Sequence, residues 1–126
     1  MLRSYKDLIV YQKGYSLSLE IYKVTKDYPR DERFGLISQM RRSAVSIPCN
    51  IAEGYGRKNI KEYLQFLYVA YGSCSELETL ISLSQDLGLL DNEKYAKLYT
   101  LQEEVSKILN GLIKSLSHEK KGTINA

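Results

Sequence analysis

The sequence predicts an all-α protein, an up-down-up-down antiparallel four-helix bundle. Three observations carry that prediction. Apolar residues recur at three- and four-residue spacing through four long segments. The segments are joined by short connections, which force successive helices to run antiparallel. No run of β-branched residues alternates with period two, so no strand is predicted. The 126 residues fit one domain over 1–126, with helices at about 5–26, 32–53, 60–87 and 92–117. The tail over 118–126 is expected to fray.

The first helix carries two neighbouring apolar stripes. One is Leu8, Tyr11, Tyr15, Leu19 and Tyr22; the other is Val10, Leu17, Ile21 and Val24. Pro29 closes the segment, because proline disfavours helical geometry in the residue before it. Asp31 is the expected N-cap of the second helix, with Glu32 adding negative charge at the positive end of the dipole. Gly54 is expected to end that helix in the left-handed conformation. Asn59 with Glu62 resembles a capping box for the third helix, which stops at Gly88. The fourth starts after Asp91, with Leu90 and Tyr95 spaced as a hydrophobic staple. Its expected core stripe is Leu98, Leu101, Val105, Ile108, Leu112 and Leu116.

Composition narrows the function classes. A net charge of +3 is mildly basic, compatible with phosphate contact without demanding it. Cys49 and Cys74 lie in apolar helical segments without a CxxC pair, and are read as buried free thiols. His118 is the only histidine, so no zinc site, metal or other cofactor is expected. A serine or cysteine nucleophile would lack a histidine base in the core, so the chain is read as non-enzymatic. The longest nearly apolar run covers residues 63–72, well short of the roughly 20 residues that cross a bilayer. Nor does the N-terminus show an apolar signal core. A soluble, cytoplasmic protein with no membrane partner is expected.

Apolar surface is nevertheless in surplus. Between Tyr63 and Tyr71 only Gln65 is polar, and a helix that is apolar on every side needs cover on every side. A four-helix bundle covers one broad face of each member. Further copies of the chain are the expected cover, with self-association needed for the fold to persist. Of the 11 tyrosines, Tyr11, Tyr15, Tyr22, Tyr63, Tyr68 and Tyr71 sit on or beside the apolar stripes, as suits an interface with wet edges, and stacking on nucleic-acid bases is the other use open to them.

The stretch RRSAVSIPCNIAEGYGR (41–57) departs from an ordinary helix. Pro48 deprives the Ala44 carbonyl of its donor. Gln39, Arg42, Ser46, Asn50 and Glu53 fall on one face, where Ser and Asn are poor mid-helix choices unless they have specific partners. The expected partners are the orphaned carbonyl and the third helix. Centring the turn at Arg57 sets Arg42 opposite Gly72 and Ser73, with Glu76 one turn on. Gly72 then permits close backbone approach, and Glu76 pairs with Arg41 or Arg42. This polar network, Gln39, Arg41, Arg42, Ser46, Asn50, Glu53, Ser73 and Glu76, is read as fixing register rather than performing catalysis.

At these residues the chain resembles a bacterial four-helix-bundle family encoded in intervening sequences of 23S rRNA genes. The similarity lies in Gln39, Arg41, Arg42, Ser46, Ile47, Asn50, Ile51, Ala52, Glu53 and Gly54. It resumes in Phe66, Leu67, Ala70, Gly72, Ser73, Glu76 and Leu77. Ser43 and Cys49 stand where the family more often has alanine. The accessory variability determinant of diversity-generating retroelements is similar to this family. The resemblance implies a homopentameric barrel of bundles and binding of RNA or DNA. In the retroelement relatives it also implies a reverse transcriptase partner. The candidate phosphate contacts are Arg57, Lys58 and Lys61 at the second turn, joined by Arg3, Lys6 and Lys13. The other reading is a protein-interaction module without nucleic-acid binding.

Overall fold

The computed structural model describes the backbone of residues 4–125 and the side chains of residues 4–119. Four α-helices dominate: α1 (Ile9–Thr25), α2 (Ser38–Tyr55), α3 (Ile60–Asp86) and α4 (Asn92–Asn125), with no strand among the described residues. Cross-contacts fix the directions. Ser18 meets Ala44 and Thr25 meets Arg41, so α2 descends as α1 rises. Ser46 meets Ser73, Gln102 meets Cys74, and Lys13 and Glu20 of α1 pair with Glu104 and Lys97 of α4. Each helix is therefore antiparallel to its two neighbours, and α1 and α3 lie across a diagonal.

The core line of α1 is the second predicted stripe. Val10, Leu17 and Ile21 are buried, whereas Tyr15, Leu19 and Tyr22 of the first stripe are exposed. Met40, Ala44, Ile47 and Ile51 of α2 face them, with Leu67, Ala70, Cys74, Leu77 and Ile81 of α3. In α4 the core line is Leu98, Gln102, Val105, Leu109 and Ile113. The expected Leu101, Ile108, Leu112 and Leu116 are only partly buried at its margin, one position off centre. Two apolar rows run side by side there, and the α3 surface selects between them.

The helix ends depart from expectation in several places. Residues Tyr5–Asp7 form a separate 3-10 turn, not the start of α1. Ser4 and Asp7 close a capping box around it, and Leu8 is extended (ψ 128°). Asp31 does not cap α2. A 3-10 turn (Arg30–Glu32) follows Pro29, and the Glu32 carboxylate instead accepts from the Leu36 amide across a wide turn at Gly35. Gly54 is helical and buried, with α2 continuing to Tyr55. An added Cβ there would lie 2.7 Å from Phe66 Cβ, so this glycine serves close packing of α2 on α3. The one left-handed residue is Gly88 (φ 78°), which terminates α3. Asn59 and Asp91 cap α3 and α4, accepting from the Glu62 and Lys94 amides. Helix α4 runs to Asn125, beyond the expected end at about 117.

The proline problem is solved by α1. With no N–H at Pro48, the Ala44 carbonyl accepts instead from the Ser18 hydroxyl at 2.9 Å, in a buried contact. The same hydroxyl lies 3.1 Å from the Gly14 carbonyl. Gly14 brings α1 close to this point, where a Cβ would touch Ile47 and Pro48. Ser18→Ala is expected to destabilise the protein by about 1–3 kcal/mol, the cost of a buried unsatisfied carbonyl. In a Pro48→Ala background, where the restored amide can serve Ala44, the same change is expected to cost clearly less. A double-mutant cycle by urea unfolding reads this coupling. Equal costs in both backgrounds would show that Ser18 does not compensate for the proline.

Candidate functional site

The eight residues of the predicted polar network divide into three groups. Ser46, Asn50 and Ser73 come together. Asn50 Nδ2 donates to the Ser46 carbonyl (2.8 Å) and hydroxyl (2.9 Å), and Ser73 Oγ lies 2.8 Å from Ser46 Oγ. This half-buried cluster ties α2 to α3. Ser46 thus sits opposite Ser73, whereas the sequence-derived register puts it opposite Tyr68. The extension of α2 to Tyr55 and the packing of Gly54 on Phe66 shift the pair by about a turn.

The predicted ion pair between Glu76 and Arg41 or Arg42 is absent. Arg41 turns to α1, where Nε donates to Thr25 Oγ1 at 3.0 Å and the guanidinium covers the Tyr22 ring at 4.5 Å. Arg42 and Glu76 are exposed, and neither has a hydrogen bond or ion pair among the described residues. Gly72 is likewise not a point of contact within the chain, as a Cβ there would have nothing within 4 Å. Gln39 is exposed and contributes only its carbonyl, to the Ser43 hydroxyl. Glu53 pairs with Arg57 at 3.4 Å in an exposed i,i+4 contact.

The basic candidates also separate. Arg57 is held by Glu53 and by the Phe66 ring, 4.7 Å from its guanidinium carbon. Lys58 and Lys61 are exposed beside it without an ion pair among the described residues. Lys6 is exposed just before α1, at the same end of the bundle. Lys13 faces elsewhere and pairs with Glu104 on α4. Arg3 lies outside the described residues. An aromatic groove of about 520 Å³ borders this end, lined by Tyr5, Tyr11, Tyr15, Pro48, Cys49, Ala52 and Glu53.

Three residues escaped the sequence reading. Ser18 is a mid-helix hydroxyl of the kind that singled out Ser46, so the same rule applies to it, whereas Thr25 is the last residue of α1 and gave no such signal. Gln102 is buried in the α4 core line. Its Nε2 donates to the Cys74 carbonyl at 3.2 Å, while Oε1 has no protein partner. Cys49 is exposed rather than buried; Cys74 is buried. Among the described residues no group of three or more His, Cys, Asp or Glu is placed to hold a metal. No helix among them is long and apolar enough to cross a membrane.

Burial, and secondarily the nearby Glu78 charge, pushes the Cys74 thiol up to about 12. The folded state thus holds the Cys74 proton more tightly than the unfolded chain, whose thiols titrate near about 8.5. Its contribution is fully present below that pH and is lost as pH rises toward 12. Native stability is expected to fall between about pH 9 and 10, by at most about 1.4 kcal/mol per pH unit from this group. Cys74→Ala is expected to flatten the slope in urea midpoints measured across that window. An unchanged slope would show that Cys74 is not the group responsible.

Comparison with known proteins adds the lineage. A model of the 23S rRNA-intervening sequence protein family matches residues 6–111. A crystal structure of a protein of unknown function from the S23 ribosomal protein family of Bacteroides thetaiotaomicron superposes with a TM-score of 0.77. It is 24% identical, and the match covers 84% of this chain and 99% of that one. Curated proteins gave no match. The family model covers α1 to α3 and the first part of α4, including both halves of the α2–α3 motif, and the chain belongs to the 23S rRNA-intervening sequence protein family.

Proposed function

We propose that this chain is a non-enzymatic, self-associating bundle, a homopentameric barrel, that binds RNA or DNA. It would act directly or as a scaffold for a nucleic-acid enzyme such as a reverse transcriptase. The observation that carries the reading is the end of the bundle where Lys6, Lys58 and Lys61 stand exposed and without ion pairs among the described residues. Phosphates are met by unpaired cations, and self-association multiplies the +3 of each chain into a considerable field. Tyr5, Tyr11 and Tyr15 beside that end supply faces on which bases stack.

The non-enzymatic part rests on the groups available. Cys74 is buried with its thiol held protonated, which removes its nucleophile, the thiolate. His118 is exposed on α4, in a shallow groove with Tyr68, Asn110, Ile113, Lys114 and Ser117 that contains no carboxylate to orient it. A second reading, a module whose target is another protein, is favoured by Phe34. This ring is 88% exposed at the opposite end of the bundle, with Arg33 beside it.

Filter binding of the full chain to single-stranded RNA and DNA across a salt series separates the two readings. Binding is expected at low salt and is expected to weaken linearly on a log–log plot as salt rises. Lys58→Ala with Lys61→Ala is expected to lower the slope by about 2, roughly one for each phosphate that no longer meets a lysine. Absence of binding at low salt, or binding indifferent to both changes, would leave the protein-target reading in place.

A further inference from the structure

Resting on the nucleic-acid reading above, we infer that the groove between α3 and the later turns of α4 is the track of an unpaired RNA or DNA strand. Tyr68 is its stacking platform and Lys114 a phosphate contact. Gln102 meets Cys74, and α3 and α4 run antiparallel. The later turns of α4 therefore return beside the first turns of α3, at the end where Lys58 and Lys61 stand. A shallow groove of about 440 Å³ opens there, lined by Tyr68, Asn110, Ile113, Lys114, Ser117 and His118.

Helical spacing makes each wall of this groove continuous. On α3, Lys61, Gln65 and Tyr68 are four and three residues apart, lie along one side of the helix and are all exposed. On α4, Asn110, Lys114 and Ser117 repeat that spacing, with His118 one turn beyond Lys114. The α3 row leads from the lysine-bearing turn into the groove. Lys61 and Tyr68 are roughly 10 Å apart along the helix axis, a distance that a few nucleotides of a stretched strand can follow.

The side chains select the ligand. Lys94, Lys97 and Lys107 of α4 each pair with a carboxylate, whereas Lys114 is exposed with no ion pair among the described residues. No carboxylate lines the groove; Glu62 and Glu119, close by in sequence, are not part of it. An anion therefore meets an uncompensated cation there. Gln65, Asn110 and Ser117 add amide and hydroxyl groups of the kind that meet base edges and sugars. Tyr68 is 56% exposed, and its ring packs on no other aromatic ring among the described residues. The rings of Tyr5 and Tyr11, by contrast, already meet edge to face at 5.0 Å, and their groove contains the Glu53 carboxylate. A duplex keeps its base faces inside the stack, so only an unpaired strand can lay a base on Tyr68.

The test is fluorescence anisotropy of the full chain with a labelled single strand of mixed sequence, and with the same strand in a duplex, across a salt series. The single strand is expected to bind more tightly. Tyr68→Ala is expected to weaken it about tenfold without changing the salt slope, because stacking releases no counterions, and Tyr68→Phe is expected to retain binding. Lys114→Ala is expected to lower the slope by about one. A second measurement uses the unaltered protein: a strand carrying 5-iodouracil, irradiated in the complex, is expected to cross-link to Tyr68, located by mass spectrometry of the peptides. Equal binding of duplex, single-strand binding that neither the Tyr68→Ala nor the Lys114→Ala change alters, or cross-links confined to Tyr5, Tyr11 and Tyr15 would overturn the groove and leave the Lys58–Lys61 end as the contact. No binding at any salt would remove the nucleic-acid reading itself, and the groove with it.

Discussion

The backbone accounting at Pro48 sets the frame for the bundle. A proline in the middle of an 18-residue helix leaves one carbonyl without its amide, deep in the interior. Only a donor from outside α2 relieves it, and Ser18 of α1 is that donor. The hydroxyl reaches Ala44 only because Gly14, one turn earlier, lets α1 press against Ile47 and Pro48. Gly14 and Ser18, one turn apart on α1, together with Pro48 on α2 thereby fix the height and closeness of the α1–α2 crossing. The α2–α3 crossing is fixed in the same manner, by Gly54 against Phe66 and by the Ser46–Ser73 contact two turns away.

Once α2 is held on both sides, the other surfaces follow. Its neighbours α1 and α3 turn one face to the core and carry surplus apolar side chains on the other, while α4 supplies the charged exterior. The polar residues of the α2–α3 motif then have divided roles. Ser46, Asn50 and Ser73 are structural, Arg41 stitches α2 to α1, and Arg42 with Glu76 points away from the subunit. A motif read as one network in the sequence is in three dimensions a structural cluster with an outward-facing charged margin.

How much was legible in the sequence depended on how local each signal was. Asn59, Gly88 and Asp91 marked their boundaries because capping and positive φ are decided within a turn of chain. The four helices and their order followed from periodicity. The start of α2 did not, because Glu32 competes with Asp31 and the wide turn at Gly35 leaves no periodic trace. The α4 core line was displaced because Gln102 looks like a surface residue until the Cys74 carbonyl awaits its amide. The candidate site suffered most: Glu76 and Arg42 come nearly level, yet both face outward. Helical spacing alone does not supply the rotation of each helix about its axis.

The joint between the first and last helices is built differently from the others. Lys13–Glu104, Glu20–Lys97 and Asp27–Lys94 run along it, all at least partly solvated. Such pairs are worth about 0–1 kcal/mol each and are weakened by dissolved ions. Among the described residues no proline-orphaned carbonyl or close-packed glycine pins this joint. It is consequently the bundle's weakest wall, the line along which α4 would peel away first as the protein breathes.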